Sequence, residues 1–118
     1  MKETQIWTST RLFHDETIRE MTRTFGTFSI LALQRLWCFA KEHGKNGKLD
    51  KNFVKGFRQY VALTSFDEDE FNEYEPLLKQ DWVDWLVKYN LLEKTENGYK
   101  VVFGLVYFDQ PREEVPNK

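Results

Sequence analysis

The sequence predicts a mainly α-helical domain with a small β-hairpin, an α+β fold of the winged helix-turn-helix type with an extra N-terminal helix. Two observations carry that prediction. An aromatic-rich helical run from Pro76, with Leu77, Leu78, Trp82, Trp85, Leu86 and Tyr89, goes straight into Leu91-Leu92-Glu93-Lys94-Thr95-Glu96-Asn97-Gly98-Tyr99-Lys100-Val101-Val102. Within it, Asn97-Gly98 stands between two strand-like runs, and both residue types tolerate the positive φ angles of a type I′ hairpin turn.

The elements follow in order. Asp15 caps a first helix reaching about Thr24 and stopping at Gly26, with Glu16 in its first turn and Ile18, Met21 and Phe25 at helical spacing. A second helix from about Phe28 to Glu42 is apolar over most of its circumference, through Ile30, Leu31, Leu33, Leu36, Trp37, Phe39 and Ala40, and is therefore central to the core. His43-Gly44-Lys45-Asn46-Gly47 forms a turn, and Gly47-Lys48-Leu49 forms a very short strand. Asp50 caps a third helix, about Lys51 to Leu63, with Phe53, Val54, Phe57, Tyr60 and Val61 as its apolar stripe. Ser65 and Glu68 fit a capping box that opens a short acidic helix carrying Phe71 and Tyr74. Pro76 belongs in the first turn of a further helix reaching Asn90. A strand over 91–95, the turn, and a strand from 99 to about 107 complete a domain over residues 1–108. Residues 109–118 read as a mobile tail or the start of a linker.

At 118 residues the chain is long enough to bury a core without disulfide or metal support, and ten Phe, five Tyr and four Trp supply much of it. The longest apolar run is far shorter than the ~20 residues of a spanning helix, and residues 1–10 lack the apolar segment of a secretory signal, so the expected location is cytoplasmic. The lone Cys38 sits among Leu36, Trp37, Phe39 and Ala40 and reads as a packed, reduced thiol. The net charge of −2 conceals a segregation. Residues 1–60 hold 11 Lys+Arg against 6 Asp+Glu, whereas residues 61–118 hold 6 against 13. The first half can approach a polyanion, and the second should resist one.

Phe13-His14-Asp15-Glu16-Thr17-Ile18, then Phe25 to Leu33 with Leu36-Trp37, then Asn46-Gly47-Lys48-Leu49, then Trp85-Leu86-Val87-Lys88-Tyr89-Asn90-Leu91-Leu92, resemble the N-terminal winged-helix domain of phage replisome organisers and related replication-initiation proteins. The likeness spans most of residues 7–106 and rests on packing and turn motifs. It implies a DNA-binding or self-associating head. In that family a second domain that loads helicase machinery follows, and residues 1–118 hold no counterpart of it, so loading activity is not expected here. The family pattern also places the helix before the wing in the major groove. Here that helix carries Asp81 and Asp84 against Lys79 and Lys88, with Glu75 just ahead, and carboxylates at that position are repelled by phosphates.

The candidate nucleic-acid contacts are instead Lys45, Lys48, Lys51, Lys55 and Arg58, beside a Gly-rich turn and with Lys41 nearby, joined by Lys94 and Lys100 at the wing. The bland reading of the same residues is a solvated helix face. Asp67, Glu68, Asp69, Glu70 and Glu73 form the densest charge run. They lack the ligand spacing and glycine of a calcium loop, and read as a solvated face or as a surface for a protein partner or a second copy. Gly44 to Leu49 lacks the glycine spacing and hydroxyl of a phosphate loop. His14 and His43 have no zinc-site partners, and no nucleophile elbow, Cys/His pair or dinucleotide fingerprint occurs. The expectation is a non-enzymatic module of phage or mobile-element type, without cofactor, metal, membrane contact or small-molecule substrate. It would bind DNA weakly, with low sequence specificity, in replication initiation or its control. The alternative is a protein-only adaptor or inhibitor on the same scaffold.

Overall fold

A computed structural model describes residues 5–45, 47–102 and 104–109. Of the expected tail over 109–118, residues 110–118 lie outside them, as do the turn residue Asn46, Phe103 of the expected last strand and the first four residues. Five α-helices pack with small antiparallel sheets: α1 (Glu16–Phe25), α2 (Phe28–His43), α3 (Phe53–Thr64), α4 (Glu68–Tyr74) and α5 (Gln80–Lys88). Strands β2 (Lys48–Asp50), β3 (Leu92–Lys94) and β4 (Gly98–Val101) form a sheet of order β2-β4-β3. Strands β1 (Trp7–Thr8) and β5 (Val106–Tyr107) pair separately, Trp7 opposite Tyr107.

Helix α2 runs through the middle of the core, as its apolar circumference requires. Ala32, Leu33, Leu36, Trp37 and Ala40 are buried among Ile18 and Met21 of α1, Phe57 and Val61 of α3, and Trp82, Val83 and Leu86 of α5. The one buried polar side chain among the described residues, Ser29, is satisfied by donating its Oγ–H to the Gly26 carbonyl at 2.6 Å. Phe57 and Trp82 stack at 6.3 Å, and Trp85 stacks on Tyr89 at 4.1 Å while meeting the edge of Phe25 at 5.6 Å. Arg35 ties three helices together. It donates to Thr64 Oγ1 and to the Glu70 carboxylate, and its guanidinium lies over the Tyr74 ring at 4.8 Å.

Several boundaries differ from the sequence expectations for identifiable reasons. Asp15 caps α1 as expected, accepting from the N–H groups of Thr17 and Ile18. Asp50 does not cap α3. It ends β2 opposite Gly98, receives the Asn52 N–H only at 3.4 Å, and α3 begins three residues later. The capping interaction expected at Ser65 belongs to Asp67, which accepts the Glu70 N–H at 2.8 Å while Glu70 reaches back to the Phe66 N–H at 3.0 Å. Ser65 turns the other way, onto the Val61 carbonyl, and closes α3. Pro76 opens a 3₁₀ turn, Glu75–Leu77, that stops before α5 instead of continuing into it. The last strand breaks after Val101, and its continuation joins β1.

The hairpin exists, but not as a type I′ turn. Thr95 N–H donates to the Gly98 carbonyl at 2.8 Å, and neither Asn97 nor Gly98 has positive φ. Glycine is demanded at 98 by proximity: a Cβ there would stand 2.0 Å from the Leu49 carbonyl oxygen and 2.9 Å from Lys51 N.

Positive φ occurs instead at Asn90 (63°), just past α5. There the Leu91 N–H donates to the Leu86 carbonyl at 2.8 Å and the Asn90 N–H to the Val87 carbonyl at 3.1 Å, which is the Schellman closure. Asn tolerates this left-handed conformation better than other L residues, and glycine better still. Asn90→Gly is accordingly expected to hold or raise stability by up to ~1 kcal/mol, and Asn90→Ala to lower it by ~1 kcal/mol. Thermal melts of the two variants check this, and an alanine variant as stable as the glycine one would contradict it.

Candidate nucleic-acid interface

The sheet register decides where the predicted cations go. Lys48 stands opposite Lys100, and Lys100 opposite Glu93, so these three share one face of the sheet. Leu49, Tyr99 and Lys94 share the other. Leu49 and Tyr99 are buried, which fixes theirs as the core face and makes the Lys48 and Lys100 face the solvent side. Lys45 bridges to Lys48 across the turn. Lys51 follows β2 directly, its backbone against Gly98. Lys55, on the first half of α3, lines the same cleft as Lys48. Lys45, Lys48, Lys51, Lys55 and Lys100 are thus gathered around β2, and none of them forms an ion pair among the described residues. Lys48 and Lys100, facing each other across neighbouring strands, repel; Glu93 opposite Lys100 offsets part of this, and a bound anion beside Lys48 would relieve the rest.

The other two predicted cations fall elsewhere. Lys94 projects on the core-side face at the far edge strand. Arg58 turns away from Lys55 towards the 3₁₀ turn after α4, where it pairs with Glu75 at 3.5 Å and covers the Phe71 ring at 5.5 Å. Lys41 is directed at Asp109, 3.9 Å away. A helical wheel groups Lys51, Lys55 and Arg58, but it carries no information about which neighbour each long side chain meets.

The acidic run is similarly divided. Glu70 is half-buried against Arg35, and Asp67 is occupied as a helix cap, so both serve the fold. Glu68, Asp69 and Glu73 are exposed. Next to them Phe66 is 91% and Leu63 86% exposed, a pair of apolar side chains whose exposure no sequence pattern indicated. Outward on α5, Asp81 and Asp84 are exposed, Asp84 accepting from the Gln80 amide at 2.9 Å.

Two connected hollows frame the basic residues. One, of about 370 Å³, lies between the end of α2, β2 and α3, and is lined by Phe39, His43, Lys48, Asn52, Lys55 and Gly56 among others. The second, of about 530 Å³, continues from His43 and Lys48 past Lys45 to Thr95 and Asn97 of the hairpin turn. Phe39 packs against His43 at 5.1 Å and Tyr60 at 5.4 Å, which makes an aromatic ledge beside the first hollow. Burial, and then the Glu42 carboxylate, push the Tyr60 hydroxyl up to about 12, so it remains a neutral donor at physiological pH. Burial foremost, reinforced by Glu42, also raises the Cys38 thiol above its ordinary value, which favours the protonated form. The sequence did not single out Phe39, Asn52, Gly56 or Gln59 as site residues. The only signal was a glycine inside an otherwise good helix.

Among the described residues no cluster of His, Cys, Asp or Glu could hold a metal ion, and no helix is long and apolar enough to cross a membrane. Comparison with protein-family models, with curated proteins and with solved structures returns no match to this chain.

Proposed function

We propose that this chain is a non-enzymatic, DNA-associated binding module of winged-helix type, acting in phage or mobile-element replication initiation or its control. The observation that carries the DNA reading is the gathering of Lys45, Lys48, Lys51, Lys55 and Lys100 around β2, without an ion pair among the described residues, beside two open hollows. The winged-helix reading draws on the order β2-β4-β3, with two helices after α3 and a hairpin after α5. The replication role rests on the resemblance set out in the sequence analysis.

Mechanistically the lysines hold phosphates without reading bases, because the helix before the hairpin turns Asp81 and Asp84 outward and is repelled by a duplex groove. Exposed Leu63 and Phe66 beside Glu68 and Asp69 favour a second reading, a surface for a basic, apolar-faced protein partner. The two readings use different ends of α3 and are compatible.

Fluorescence anisotropy with labelled DNA tests the first. Binding should weaken steeply with salt, log K against log salt falling with a slope of about −4 to −5 on duplex if each of the five lysines meets one phosphate. Lys48→Ala should reduce that slope by about 1, and Lys94→Ala should leave it unchanged. Absence of binding at about 50 mM salt overturns the proposal.

A further inference from the structure

The geometry points to a single-stranded polynucleotide as the ligand: one unpaired base seats in the hollow between α2, β2 and α3, and the backbone runs on over β2 to the hairpin turn. This rests on the DNA-associated reading above and specifies its ligand. Three observations carry it.

Gly56 is the first. It lies inside α3, where glycine is among the least favourable residues, and it has no positive φ to justify it. Packing does not require it either. A Cβ at 56 would meet only the Phe39 ring, at 3.5 Å, which is ordinary contact. What glycine does provide is an open floor in the hollow that it lines.

The lining chemistry is the second. The Phe39 and His43 rings offer a stacking edge that accepts any base, and Lys48 and Lys55 stand at the rim for the flanking phosphates. The side-chain amides of Asn52 and Gln59, in the same hollow, make no hydrogen bond among the described residues and are available to a base edge. Asp50 also faces the hollow. Its carboxylate repels phosphate there and so favours entry by the base, to whose amino group it can act as acceptor.

Continuity is the third. The second hollow shares His43, Lys48 and Asp50 with the first and leads past Lys45 to Thr95 and Asn97, giving the strand a path longer than one nucleotide. Paired bases inside a duplex cannot enter a recess between two helices, whereas unstacked ones can.

Anisotropy titrations of a labelled oligodeoxynucleotide of about 12 residues, single-stranded and as its duplex, are the test, within the site sizes usual for such channels. The single strand is expected to bind at least about tenfold more tightly than the duplex. Gly56→Leu, which fills the floor and leaves every lysine in place, should erase that preference while leaving duplex affinity within about twofold. If Gly56→Leu does not fold, Asn52→Ala combined with Gln59→Ala, both at exposed positions, reads the same seat and should reduce the preference in the same direction. Duplex binding equal to or tighter than single-strand binding, or a preference unchanged in the folded variant, overturns the seat and leaves the DNA-associated reading standing. Failure of both DNAs to bind at low salt removes both. A mononucleotide that displaces the oligonucleotide at equal concentration would overturn the extended path.

Discussion

Gly98→Ala is expected to destabilise the domain by about 3 kcal/mol or more and to lower its melting temperature by about 10 °C. The added methyl would be placed 2.0 Å from the Leu49 carbonyl oxygen and 2.9 Å from the Asp50 carbonyl carbon. All of these are backbone atoms, so no side-chain rotation relieves the clash. β2 must separate from β4, and the Leu49 and Tyr99 pair that faces the core separates with it. On the proposed DNA-associated reading, the same variant should also weaken DNA binding, because Lys48 and Lys100 keep their shared face only while the strands stay in register. Thermal denaturation followed by circular dichroism measures the first effect. A melting temperature within about 2 °C of the parent would show that the sheet relaxes freely, and the argument from close approach would fail.

Trp82 gives the second large effect, and its value lies in the contrast between two substitutions. The side chain is 2% exposed and stacks on Phe57 at 6.3 Å in the middle of the core. Trp82→Ala leaves a cavity where α3 and α5 meet and should cost about 3–5 kcal/mol. Trp82→Phe should cost no more than about 1 kcal/mol. It loses volume, but it also removes an indole N–H that is buried without an acceptor among the described residues, and such a group costs about 1–3 kcal/mol to bury. Chemical denaturation of the three proteins separates the two contributions. A phenylalanine variant as unstable as the alanine one would mean that indole volume alone matters.

What could be read from the sequence was what depends on local periodicity. The spacing of Ile18, Met21 and Phe25 and the breadth of the apolar surface on residues 28–42 located α1 and α2 to within about one residue, because those helices are set by which face is buried. The hairpin was legible for a partly different reason than the one that makes it. Asn97-Gly98 marks a turn, but glycine is required there by a strand forty-eight positions earlier, which local turn chemistry cannot express. The cap at Asp15 was legible, whereas the one expected at Asp50 was not, because Asp50 is used to end β2 opposite Gly98. The cap of α4 was misread where Ser65 and Asp67 competed, since both can accept a backbone N–H and the outcome depends on where α3 ends. Among the site residues, Lys45, Lys48 and Lys51 adjoin one strand and so stayed together. Arg58 was lost to Glu75 and Phe71, partners that only the tertiary fold brings near. The Phe39 and Gly56 hollow joins two helices and could not be read from either alone.

The pairing of Trp7 with Tyr107 bears on the order of events in folding. Two residues on each side close a loop of about a hundred, which for a free chain carries an entropic penalty of about 4 kcal/mol, more than so short a ladder returns. That clasp can shut only after the helices have already brought its halves together, and with a ladder of two pairs and Trp7 40% exposed it opens readily when the molecule breathes. Amide exchange should therefore start there, well before it reaches α2.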